Sequence, residues 1–162
     1  MSMGPSPPVP RRPGDALVEP LQHVLGNTCR LAITTLSFHW NVDGPQFLPL
    51  HRLFGEQYRE LWDALDPIGE RIRALGGRAL PDHTDNVVVP LSPSAKDIPG
   101  ARAMVERLAQ GHDAMTLALD AACDVARDAE DEASLSLLAD RALVHGSHLW
   151  MLRASIGSEA SP

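Results

Sequence analysis

Apolar positions recur along most of this chain in alternating steps of three and four, the period of a helix buried along one face. A first pattern runs from about Ala16 to Val42, with Asp15 as its N-cap. It sets Leu21, Leu25, Thr28, Ala32, Thr35 and His39 on one face, opposite Gln22, Asn27 and Arg30. Gly44-Pro45 then breaks the chain. A second pattern runs from about Leu48 to Leu75 and stops at Gly76-Gly77, with a stripe of His51, Phe54, Tyr58, Leu61, Leu65, Ile68, Ile72 and Leu75. The connection from Gly77 to Gly100 carries Pro81, Pro90, Pro93 and Pro99. In it Val87, Val88 and Val89 read as a short extended piece with no second strand to pair with. Two further helices are expected over roughly Ala101 to Arg127 and Glu132 to Ser155. Two helices, a long crossing segment and two more helices define an all-α fold, a four-helix bundle with one long crossover connection.

The ends read differently. Residues Met1 to Gly14 (MSMGPSPPVPRRPG) are rich in Pro, Gly and Ser and form a flexible N-terminal tail. The domain is expected over 15–156, followed by a short C-terminal tail, 157–162. At 162 residues there is enough chain for one domain with a real core. Aromatics are only 4% of it, so that core is mostly aliphatic. The net charge of −7, with Lys96 the one lysine, argues against a basic nucleic-acid surface. Cys29 and Cys123 fall inside helical patterns and read as small reduced core residues rather than a disulfide framework. No apolar run approaches the roughly 20 residues of a membrane span. The start lacks the charged-then-apolar order of a signal peptide, so a cytoplasmic location is expected.

Candidate chemistry concentrates on the first hairpin. His39 precedes the Gly44-Pro45 turn and His51 follows it, so the two imidazoles should lie side by side across the hairpin. Taken singly, each reads as a satisfied core histidine; as a facing pair they point toward metal. Asp66 and Glu70 stand at i and i+4, which puts both carboxylates on one side of the second helix. The bland alternative is a solvated flank with Glu70 paired to Arg73. His51 and Asp66 are 15 residues apart, about 22 Å along a helix. Ligands of one ion each lie about 2 Å from it, so these residues cannot hold the same ion within one chain. They can if the helix packs antiparallel on its own copy about a two-fold axis near Arg59 to Leu61. Two imidazoles and two carboxylates with open positions suit iron(II) better than structural zinc.

The segment SFHWNVDGPQFLPLHRLFGEQYRELWDALDPIGERIRALGG closely resembles the signature of the Dps mini-ferritins, a His-Trp-Asn motif followed by Gly, Phe and Leu-His, then an Asp-x-x-x-Glu-Arg pattern closing on Leu-Gly-Gly. The spacings of 12, 15 and 4 between His39, His51, Asp66 and Glu70 match that family's ferroxidase ligands. ADRALVHGSHLWMLRAS resembles its last helix. The resemblance implies a ferritin-like bundle assembled as a dodecameric shell, with iron centres at the two-fold interfaces. Each would take His39 and His51 from one subunit and Asp66 and Glu70 from its partner. Iron(II) would be oxidised there, by hydrogen peroxide in preference to dioxygen, and stored inside as ferric mineral. Trp40 would sit near the centre and intercept stray oxidising equivalents, or else serve as an aromatic anchor at a helix end.

Several positions depart from the family pattern. Pro67 stands between the two carboxylates, where an acidic residue is commoner, and removes a helix hydrogen bond. Gly55 and Gly69 weaken the same helix. Asp128, Asp131 and Glu132 have two readings: acidic residues favoured by a helix N-terminus, or the lining of a pore that draws iron inward. His23, His83, His112, His145 and His148 have no partner visible in the sequence. Two other functions compete with iron storage. One is a nucleoid-associated DNA coat, for which the tail supplies only Arg11 and Arg12, so that binding would be weak and salt-sensitive. The other is an inert assembly subunit whose site holds zinc or nothing.

Overall fold

A computed structural model describes residues 14–80 and 98–157. Five helices appear there: α1 (Asp15–Asn41), α2 (Phe47–Asp63), α3 (Leu65–Ala74), α4 (Ala101–Asp128) and α5 (Glu132–Ile156). α2 and α3 together make the second long rod of the bundle. α1 packs chiefly on α2, α4 on α5, and α1 against α4 closes the two pairs into one four-rod bundle. The flexible-tail readings, with Arg11 and Arg12, and the extended Val87–Val89 piece lie outside the described residues.

The core is aliphatic, as the composition requires. Leu17, Leu21, Leu31, Phe54, Leu61, Ile68, Ile72, Val105, Leu108, Met115, Leu119, Leu138 and Leu152 are all completely buried. The first-helix stripe is confirmed at Leu21, Leu25, Thr28, Ala32 and Thr35. Asn27 corrects it: placed on the outer face by pattern, it is buried, with its Nδ2 donating to the His23 carbonyl at 2.9 Å.

The second rod is not one continuous helix. It breaks at Ala64, and the break explains Pro67. With α3 restarting at Leu65, Pro67 falls in its first turn, where a backbone N–H has no partner within the helix. The proline's missing donor therefore costs little. α3 closes on Gly76 at φ +89°, with Gly77 donating to Ile72 and Gly76 to Arg73. α4 ends in the same two-bond arrangement, Asp131 to Ala126 and Glu130 to Arg127, but with Glu130 at φ +51° in place of glycine.

The crossover can be read from the ends. Arg71, near the C-terminus of α3, bonds Asp131 and Ser134 at the N-terminus of α5. The α4–α5 turn therefore shares an end of the bundle with the close of α3, and Ala101 starts α4 at the far end. The close of α3 and the start of α4 are therefore separated by about the length of α4, about 42 Å for its 28 residues.

Candidate iron half-sites on the first hairpin

His39 and His51 meet across the α1–α2 turn as expected. Their rings stack with centroids 3.8 Å apart and planes 19° from parallel. His39 Nδ1 lies 2.7 Å from the His51 carbonyl oxygen, and His51 Nδ1 lies 2.8 Å from the His39 carbonyl oxygen. A carbonyl can only accept, so each Nδ1 carries the proton. In the neutral ring, Nε2 then holds a free lone pair. This reciprocal pair of bonds fixes tautomer and ring direction, as the outer partners of metal-binding histidines do. Tyr58 tilts against His39 at 5.2 Å and Phe47 against His51 at 5.1 Å. Both histidines are half-buried and open into a recess of about 230 Å³ shared with Arg52, Gly55, Glu56 and Arg59.

Gly55 makes this geometry possible. A Cβ there would lie 3.1 Å from His39 Cε1 and 3.2 Å from His39 Nδ1. Read from sequence as a weak point of the helix, Gly55 also gives the His39 ring its room. Gly69 has no such task, since its Cβ would only touch Ala79 at an ordinary 3.6 Å.

Asp66 and Glu70 are exposed and line a second recess of about 700 Å³ with Leu25, Trp62, Asp63, Leu65, Gly69, Arg73 and Ala79. Asp66 sits in the first turn of α3, where the helix dipole favours a carboxylate. The bland Glu70–Arg73 pairing does not form: Arg73 donates to the Gly77 carbonyl at 2.6 Å, and no ion pair joins it to Glu70. The two recesses share no residue. Among the described residues, no three His, Cys, Asp or Glu side chains of one chain group to hold a metal ion. Exposed aromatics border both halves, Phe47 beside His51 and Trp62 in the carboxylate recess, exposed by 44% and 54%. Trp40, next to His39, is 70% exposed.

At the α4–α5 turn the three acidic candidates separate. Asp131 caps α5, accepting from the Ser134 amide at 3.0 Å, and pairs with Arg71 at 2.6 Å. Burial alone would raise its pKa, but the Ser134 amide and Arg71 prevail and hold it below the usual carboxylate value. Its charge is thus used within the chain, whereas Asp128 and Glu132 are exposed.

Pattern reading missed His112, His145 and His148, which meet in the bundle core and are almost fully buried. The signal was present in the i, i+3 spacing of His145 and His148. Seeing His112 opposite them required the α4–α5 pairing.

Comparison with known proteins agrees with this architecture. The family model of the ferritin-like domain matches residues 18–159. The chain is 34% identical over 118 residues to DNA protection during starvation protein 2 of Bacillus anthracis, covering 73% of this chain and 81% of that one. It superposes on the crystal structure of a Dps protein from Bacillus brevis with a TM-score of 0.81 and 27% identity, over 90% of this chain and 97% of that one. It shares its fold with a Vibrio cholerae Dps described as one of the ferritin-like diiron-carboxylate proteins, at TM-score 0.82 and 22% identity, over 93% of this chain and all of that one. The chain belongs to the ferritin-like family and is, within it, a Dps-type mini-ferritin. No helix among the described residues is long and apolar enough to cross a membrane.

Proposed function

We propose that this protein oxidises iron(II) at centres shared between two copies and stores the product as ferric mineral inside a dodecameric shell. The observation that carries the reading is the reciprocal Nδ1–carbonyl bonding of His39 and His51, which leaves an Nε2 lone pair on each of two stacked rings that line an open recess. Iron is the substrate. His39 and His51 of one subunit bind it through Nε2, and Asp66 and Glu70 of the second copy supply hard oxygen donors that favour the ferric product. Two iron(II) ions give one electron each to hydrogen peroxide. Its O–O bond breaks and, with two protons, two waters form. Arg52 and Arg59, which line the histidine recess, would pair with the incoming carboxylates. Exposed Phe47 and Trp62 provide apolar cover for the same contact. The family membership and the name of the Bacillus anthracis relative favour a protective role under starvation.

A DNA-coating role is the second reading. It rests on the same relative's name, and Arg11 and Arg12 are the tail's whole contribution against a net charge of −7. The test of the main reading is anaerobic iron(II) loading followed by peroxide, with ferric absorbance as the signal. Rapid oxidation that His51→Ala abolishes is expected. Oxidation no faster than in buffer would leave an inert assembly subunit.

A further inference from the structure

Hydrogen peroxide takes up two electrons, and a single iron(II) supplies one. With two ions at a centre the count closes. With one, the O–O bond breaks unevenly, to hydroxide and a hydroxyl radical that attacks whatever is nearest. A centre that meets iron one ion at a time therefore needs a second electron from the protein. The side chain that gives it must be oxidisable, must touch a ring that binds iron, and must shelter the radical it becomes.

Tyr58 meets all three conditions. It is the only tyrosine of the chain. It stands on α2, two turns beyond His51, and its ring tilts against His39 with centroids 5.2 Å apart and planes at 54°, an aromatic pair in contact. Because His39 Nδ1 is tied to the His51 carbonyl, His39 offers Nε2 to iron, and its ring bridges metal and phenol. Tyr58 is half-buried. The Arg59 guanidinium covers its ring at 5.0 Å from the centroid and is itself held by the Gly55 carbonyl at 2.9 Å. A cation in that position is attracted to the neutral ring and opposes positive charge on it. Oxidation of the ring therefore releases the hydroxyl proton together with the electron and gives a neutral phenoxyl radical. Trp40 follows His39 in the chain but is 70% exposed, so a radical formed there would face solvent.

We propose that Tyr58 is an auxiliary electron donor to the iron centre, acting through His39, which lets a centre holding one iron(II) reduce peroxide completely. This rests on the iron-oxidising reading above. The iron(II) gives one electron, and Tyr58 gives one electron and its hydroxyl proton. With one more proton from solvent the O–O bond breaks and two waters form, leaving iron(III) and the phenoxyl radical. A second iron(II) then returns an electron, with a proton from solvent, and restores the phenol. The sum is two iron(II) oxidised per peroxide, as at a centre that holds both ions at once, and no hydroxyl radical escapes.

The test uses the assembled full chain, loaded anaerobically with less than one iron(II) per centre, mixed with peroxide and freeze-quenched for electron paramagnetic resonance. A tyrosyl radical is expected. Because Tyr58 is the one tyrosine, protein grown on ring-deuterated tyrosine should show the hyperfine splitting collapse. A second anaerobic addition of iron(II) should remove the signal. Tyr58→Phe keeps the ring but lacks the hydroxyl; it should lose the signal and release several-fold more spin-trapped hydroxyl radical per ferric ion formed. A tyrosine with a packing role alone would move neither readout. A radical whose splitting ignores the deuterium lies on another side chain, and it would overturn the proposal, as would a spin-trap yield unmoved by Tyr58→Phe. Should Tyr58→Phe not assemble, the deuterated wild-type spectrum decides alone. Ferric absorbance recorded alongside separates the two readings: rapid oxidation without a tyrosyl radical refutes the role of Tyr58 only, whereas no oxidation refutes both.

Discussion

Sharing of the iron centre has a numerical consequence. A His51→Ala subunit lacks one ligand of the histidine half, and an Asp66→Ala subunit lacks one of the carboxylate half. Each homomeric shell should lose rapid oxidation, because every site in it is incomplete. Mixed in equal amounts with random pairing, half of the two-fold dimers contain one copy of each mutant. In such a dimer one site lacks both residues, while the other joins an intact histidine pair to an intact carboxylate pair. Half of the dimers with half of their sites restored gives about one quarter of wild-type activity; at other ratios the yield is the product of the two fractions. The two halves of one chain lie too far apart to share an ion. The two recesses share no residue, and the 15-residue interval spans about 22 Å. The assay is the initial rate of ferric absorbance in shells co-assembled from differently tagged subunits, with mixing verified by native mass spectrometry. Full activity in either single mutant would show that the ligands are misassigned. Recovery near zero despite verified mixing would refute sharing.

Other expectations follow from single positions. Gly55→Ala should gain up to about 1 kcal/mol of helix propensity yet weaken iron oxidation, because its methyl would crowd the His39 ring; unchanged kinetics would mean that ring position does not matter. Asp131→Ala should cost about 2–3 kcal/mol in denaturant unfolding, about 1 for the cap and the rest for the Arg71 pair, whereas Asp128→Ala should cost much less; equal effects would contradict the assignment. In metal-free protein, His145 is neutral when folded but titrates near 6.5 when unfolded, so its contribution is complete above about pH 6.5 and is lost as pH falls toward about 3. Between pH 6.5 and 5 that amounts to about 2 kcal/mol, visible in unfolding at the two pH values, and a flat profile would mean that the ring is solvated. DNA retention in gel shifts should be negligible at about 150 mM salt, and tight binding there would show that charge elsewhere on the shell outweighs the acidic body.

What was legible in the sequence follows the range of the forces involved. Helices and their buried stripes are local, written at spacings of three and four, and Leu21, Leu25, Phe54, Leu61, Ile68 and Ile72 lie where the period puts them. The His39–His51 pair was legible too, because a short hairpin turns equal distance from the turn into proximity in space. The α2–α3 break at Ala64 was not placed. Pro67 announces a lost hydrogen bond, but the chain chooses where to absorb it, and restarting two residues upstream puts the proline where no donor is needed. Gly55 was read only in part, because propensity scales count only the cost of a missing side chain, whereas its benefit is room for a ring twelve residues from its own partner, on another helix. Asp131 had two readings until Arg71, 60 residues away, claimed its charge. The core histidines show the limit most clearly. Each alone reads as an ordinary polar residue of an amphipathic helix, and only the pairing of α4 with α5 makes them neighbours. Where a site is built from one hairpin, the sequence carries its geometry. Where it is built across rods, the sequence carries only the ingredients, and packing has to bring them together.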